Sequence, residues 1–67
     1  MDYIERMEVE LRELQEKIEK GGKFYFKEFE NPKFLDKYQI RDLGQQIEHM
    51  KLYETDLKCR IAYAKNK

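Results

Sequence analysis

The sequence is poor in the residues that usually staple, break or equip a small domain: one cysteine, one histidine, one proline, three glycines and no tryptophan among 67 residues. Cys59 alone can form no intrachain disulfide, and no cysteine cluster is available to hold zinc. It reads as a half-buried helix residue of a reducing compartment. His49 lies ten positions away, about 15 Å along a helix axis, too far for a Cys–His pair within one chain. Gly21, Gly22 and Gly44 make no glycine-rich phosphate loop, and no nucleophile motif is present. No apolar run approaches the ~20 residues of a membrane span, and the opening MDYIERMEVE has none of the marks of a signal peptide. The expectation is a soluble protein of the cytoplasm, with no metal, no cofactor and no membrane partner.

Net charge is also absent: 14 basic residues balance 14 acidic ones. Nucleic-acid binding usually needs a strongly basic face, so a neutral chain disfavours it. The distribution is uneven, however. Residues 1–20 carry seven acids against four bases, whereas residues 41–67 carry six bases against four acids. That polarity favours antiparallel docking of the two ends, within one chain or between subunits.

What the sequence does have is helical periodicity. Ile4, Met7, Leu11, Leu14 and Ile18 step by three and four, a heptad seam with charged residues around it. Asp2 is placed to cap this helix, with Glu5 as capping-box partner, and Glu8–Arg12, Glu13–Lys17 and Glu16–Lys20 are spaced for i,i+4 ion pairs. Gly21-Gly22 predicts the helix end, since each glycine costs about 1 kcal/mol in a helix interior. Asn31 and Pro32 predict the start of a short turn. Asp36 and Gln39, bracketed by Leu35 and Ile40, then announce a second helix that nothing interrupts until about Ala64. The spacing thus predicts an all-α protein, an antiparallel helical hairpin in a single domain over 1–67, with helix 1 at 2–20, an aromatic connector at 21–35 and helix 2 at 36–64.

The second helix carries a mixed stripe. Leu43, Gln46, Met50, Tyr53, Leu57, Arg60 and Ala64 follow one heptad frame, with Ile40, Ile47, Glu54 and Ile61 alongside. Such a face is wider than one partner helix covers, which predicts a homo-oligomeric bundle. Gln46, Tyr53 and Arg60 occupy seam positions where leucine would be more stabilising, so they either set register or line a groove for a ligand or partner.

The runs LGQQIEHMKLYETDLKCRI and MDYIERMEVELRELQEKIEK resemble a family of tiny phage-encoded helical hairpins related to a protein of a crAss-like phage. The resemblance covers roughly residues 1–20 and 36–62, and the middle segment departs from it. It implies a phage origin and a small accessory protein, and brings no catalytic residues with it.

The segment GGKFYFKEFENPKF concentrates Phe24, Tyr25, Phe26, Phe29 and Phe34. A strand would have no partner here. Packing against the hairpin end near Ile18 and Leu43 is one reading. The other keeps Tyr25 and one phenylalanine exposed among Lys23, Lys27, Lys33 and Lys37, with rings to stack a base beside lysines for phosphate. Among the carboxylates, Glu54 lies beside the apolar stripe and reads as a salt-bridge partner of Arg6 or of another subunit. His49 reads as solvated. Catalysis is not expected.

Three function classes follow. The first is a phage accessory protein that blunts host defence by occupancy. It would sequester a small nucleotide signal, of cyclic or ADP-ribose type, within a helical oligomer, or cover a host defence protein as anti-CRISPR proteins do. The second is a structural coiled-coil adaptor, and the third a nucleic-acid binder.

Overall fold

Two aspartates start the two helices. In the computed structural model, which describes residues 2–66, α1 spans Tyr3–Glu30 and α2 spans Lys37–Lys65. Asp2 Oδ1 accepts the Glu5 backbone N–H at 2.7 Å. Asp36 Oδ1 accepts the Gln39 N–H at 2.8 Å, and Gln39 Oε1 returns the bond to the Asp36 N–H at 3.0 Å. These bonds satisfy donors that a helix start leaves without intrahelical partners. Both helices begin where the capping signals predict.

The end of α1 differs from the expectation. The helix does not stop at Lys20 but runs through Gly21-Gly22 and the aromatic run to Glu30. Packing explains why the glycine penalty is overridden. A Cβ on Gly21 would stand 3.6 Å from Ile47, so this position lies against α2. The seam of α1 in fact continues in unbroken steps of three and four through Gly21, Tyr25 and Glu28, each buried or half-buried. Asn31 closes α1 as its C-cap rather than opening a new turn, its N–H bonding the Lys27 carbonyl at 3.0 Å. Pro32 disfavours helical geometry at the residue before it, which fixes that boundary.

The helices pack along their length as an antiparallel hairpin, a rod of 48 × 18 × 13 Å. The face of α2 that meets α1 is Ile40, Leu43, Ile47, Met50, Glu54, Leu57, Ile61 and Ala64, all buried or half-buried. Gln46, Tyr53 and Arg60 are exposed instead, one position off this face. The true seam therefore takes the isoleucines and Glu54 as its second row, a rotation of one helical position from the frame that included the polar trio. Every core residue expected from the pattern is buried or half-buried. The densest packing lies toward the open end, where Met7, Leu57 and Ile61 form a cluster with Leu11 and Ala64. Leu57 is 1% exposed, and burying a side chain of this kind is worth about 1.5–3 kcal/mol.

Ion pairs also differ from the expected set. Glu8 reaches across the open end to Lys65 at 3.4 Å, and Glu54 pairs with Lys58 at 3.7 Å rather than with Arg6. Among the described residues, the other pairs within helices are Glu19–Lys23 and Asp56–Arg60. No helix among the described residues is long and apolar enough to cross a membrane.

Candidate functional site: an aromatic trough beside the turn

Where α1 nears the turn, Gly44 lets the helices approach. A Cβ there would stand 3.0 Å from the Tyr25 ring, tighter than side chains tolerate without yielding. The Tyr25 ring thus lies directly against α2. It stacks on Phe29 with centroids 5.9 Å apart and meets Phe26 edge-on at 6.0 Å. Of the five rings in the connector, Tyr25 is half-buried. Phe26, Phe29 and Phe34 remain largely exposed, so the expected plug of packed phenylalanines does not form.

A half-open trough of about 730 Å³ follows from this arrangement. Gly22, Tyr25 and Phe26 line it from α1, and Arg41, Gly44, Glu48, His49 and Lys51 from α2. Rings for a planar group stand beside two fixed cations and a histidine, with Glu48 the one carboxylate among the lining residues. That is the chemistry of a site for a planar anion.

The turn itself is held by a residue the sequence did not flag. Glu28 is 3% exposed, and its carboxylate accepts three consecutive backbone N–H groups: Lys33 at 2.9 Å, Phe34 at 3.2 Å and Leu35 at 3.3 Å. Burial alone would raise its pKa. The three N–H donors and the Lys33 ammonium outweigh that, and the pKa falls below the ordinary value of 4.5. A carboxylate in the continuing heptad row, just before a proline turn, was the available signal. It reads as a surface charge only if the helix is taken to stop at Lys20.

The residues expected to bind are dispersed along the rod. Tyr25 lines the trough. Lys27 sits by the turn in a separate hollow with Phe24 and Phe34. Lys23 is exposed and paired with Glu19 at 3.2 Å. Lys37 is the exposed first residue of α2. Gln46 borders a shallow hollow with Phe24 and Leu43 on another side of the hairpin. Tyr53 donates its hydroxyl to Glu10 across the helices, and this bond, foremost, raises the Tyr53 pKa above its usual 10.0. Arg60 pairs with Asp56 at 2.9 Å and borders a hollow of about 560 Å³ with Tyr3 and Tyr63 at the open end. The structure brings Tyr25 together with Arg41, His49 and Lys51, three residues that sequence reasoning did not select. Among the described residues, no three of His, Cys, Asp and Glu converge as a metal site.

The family model described as Sequestin matches residues 1–63 of this chain. The chain belongs to the Sequestin family. The match takes in α1, the turn and all but the last two residues of α2, so the trough and the Glu28 tether lie within the span shared with Sequestin. No curated protein and no solved structure matches the chain.

Proposed function

We propose that this protein is a non-enzymatic phage accessory protein that antagonises host defence by sequestering a small nucleotide signal in the host cytoplasm. The observation that carries the reading is the trough itself. Phe26 offers an exposed face for a base beside the half-buried Tyr25 ring, and Arg41, His49 and Lys51 stand where phosphate charge would lie. The family name, Sequestin, points toward sequestration and is compatible with binding. The signal is of cyclic or ADP-ribose type, held by occupancy without turnover, in a homo-oligomer.

Isothermal titration with a cyclic dinucleotide and with cyclic ADP-ribose tests this directly. One of them should bind, be recovered unchanged after heat denaturation of the protein, and lose at least about tenfold in affinity in Lys51→Glu, since reversing one close charge costs more than 1.4 kcal/mol. Failure of both to bind, or recovery of a cleaved product, refutes the reading.

One observation favours a second reading, in which the protein covers a host defence protein. Phe34 is 78% exposed on a turn whose backbone is tied down by Glu28. A preorganised exposed aromatic is the usual anchor of a protein interface. Under that reading, Phe34→Ala abolishes protection of an infecting phage while nucleotide titrations stay flat.

A further inference from the structure

We infer that the hydroxyl of Tyr25, rather than its ring, reads the ligand in the trough, by donating a hydrogen bond to a phosphate oxygen of the captured anion. This rests on the sequestration reading for its ligand and on the placement of one ring for its support. The aromatic run of α1 has its polarity inside out. Tyr25 is half-buried, whereas Phe24, Phe26 and Phe29 are 40%, 64% and 64% exposed. Apolar rings gain most from leaving water, and a phenolic tip is costly to bury without a partner. Packing alone favours the reverse order. Position 25 therefore has a use for the oxygen.

The ring itself is taken up by the fold. It stacks on Phe29, meets Phe26 edge-on and lies against Gly44. It approaches α2 with its hydroxyl end. From where a Cβ of Gly44 would stand, Tyr25 Cε2 is 3.0 Å away, Cζ 3.3 Å and the hydroxyl oxygen 3.4 Å. Held at three places, the ring has little face to lend a base, and Phe26 supplies one instead. The hydroxyl is in a different position. Among the described residues it has no hydrogen-bond partner within the chain, and it is not sealed from solvent. A hydroxyl has one proton to donate and two lone pairs to accept with, and here they are held in place and unused. A donor fixed beforehand loses little freedom when a ligand arrives.

Its neighbours select the group it meets. Arg41, Gly44, Glu48 and Lys51 step by three, four and three along α2, and all four border the trough. The oxygen lies over Gly44, so Arg41 is about 4.5 Å along the helix axis to one side and Glu48 about 6 Å to the other. Arg41 attracts an anion and Glu48 repels one. The phosphate therefore belongs on the Arg41 side of Gly44, where the phenol donates to it. Hydrogen bonds to charged oxygens are the stronger kind.

Calorimetric titration of Tyr25→Phe beside the wild type is the test, with a cyclic dinucleotide, cyclic ADP-ribose and inorganic pyrophosphate as probes. The variant keeps every ring contact, so its Tm should equal or exceed that of the wild type. Its affinity for the bound nucleotide and for pyrophosphate should fall at least about tenfold, as loss of one hydrogen bond to a charged group requires. A second measurement needs no substitution in the protein that binds. In wild-type protein carrying ζ-¹³C tyrosine, one of five tyrosine signals is missing from the Tyr25→Phe spectrum and so is Tyr25. Pyrophosphate should move that signal more than the other four. A Tyr25→Phe chain that binds nucleotide as tightly as the wild type overturns the inference and leaves the sequestration reading standing. A Tm clearly below the wild type also overturns it, because the hydroxyl would then be bonded within the fold. Loss of pyrophosphate binding in the variant, with the Tyr25 signal moving and neither nucleotide bound by the wild type, supports the hydroxyl contact and refutes only the sequestration reading. A wild type that binds none of the three anions refutes both.

Discussion

The two ends of the hairpin are held together by different physics. Toward the open end, Met7, Leu11, Leu57, Ile61 and Ala64 interlock as an apolar cluster, and Lys65–Glu8 closes its edge. Toward the turn, the same heptad rows are filled by Gly21, Tyr25 and Glu28 facing Ile47, Gly44 and the turn backbone. There, a ring laid on a glycine and a buried carboxylate do what leucines do at the other end. Apolar packing makes no demand on ligand chemistry. A glycine-floored aromatic trough has room for a ligand, at the cost of packed volume. The difference separates a stabilising half from a half available for binding.

The comparison is broken most severely by Leu57→Ala. Core truncations of this kind cost ~2–5 kcal/mol, about the whole stability expected from a core this small. Thermal unfolding followed by circular dichroism should show a chain largely unfolded at room temperature. A variant that keeps a Tm near the wild type would mean that the open end is not the stabilising half.

Next is Glu28→Gln, which keeps the shape but removes the charge and puts an amide N–H₂ among backbone donors. Its Tm at neutral pH should fall clearly. The pH dependence sharpens the point. The Glu28 pKa is lowered by folding, so its contribution is complete above 4.5 and is lost as pH falls through the lower folded value. The wild type should therefore lose Tm on acidification below 4.5 more steeply than Glu28→Gln does.

The glycines give opposite signs on the same helical background. Gly44→Ala should destabilise, because its methyl group meets the Tyr25 ring at 3.0 Å and outweighs the roughly 1 kcal/mol gained in helix propensity. Gly22→Ala has open space around it and should gain that propensity, raising Tm by several degrees in a domain of this size. Equal effects at the two sites would refute the close contact of Tyr25 with α2.

The smallest effect belongs to Tyr53. Ultraviolet titration should show Tyr53 ionising above 10.0, and its midpoint should move down in Glu10→Gln, which removes the carboxylate charge that the hydroxyl bonds to. The contribution of this hydroxyl is present below 10.0 and lost as pH rises through the elevated folded value.

Much of this was legible in the chain. Both helix starts followed from Asp2 and from the Asp36–Gln39 pair, because capping is a local rule with local residues. The apolar half of the seam followed from spacing alone. The α1 end was misread because glycine propensity was weighed without the packing against Ile47 that offsets it. The polar rows were misread for a related reason. Gln46, Tyr53 and Arg60 share the heptad step with the true seam, and only contact with α1 decides which of two adjacent rows faces inward. Tyr25 could be chosen as a ring near charges, but Arg41, His49 and Lys51 lie on the other helix. Their convergence depends on the Gly44 approach, which no single-segment pattern encodes.

Glu28 also has a consequence in time. Its bonds reach only five to seven residues along the chain, so forming them closes a short loop and costs little chain entropy. The Lys65–Glu8 bridge spans 57 residues and can form only after the chain has reversed. The tether is therefore placed to act in the folding nucleus, with the hairpin zipping from the turn toward the termini. In stopped-flow measurements, Glu28→Gln should chiefly slow folding, whereas weakening the open end should chiefly speed unfolding.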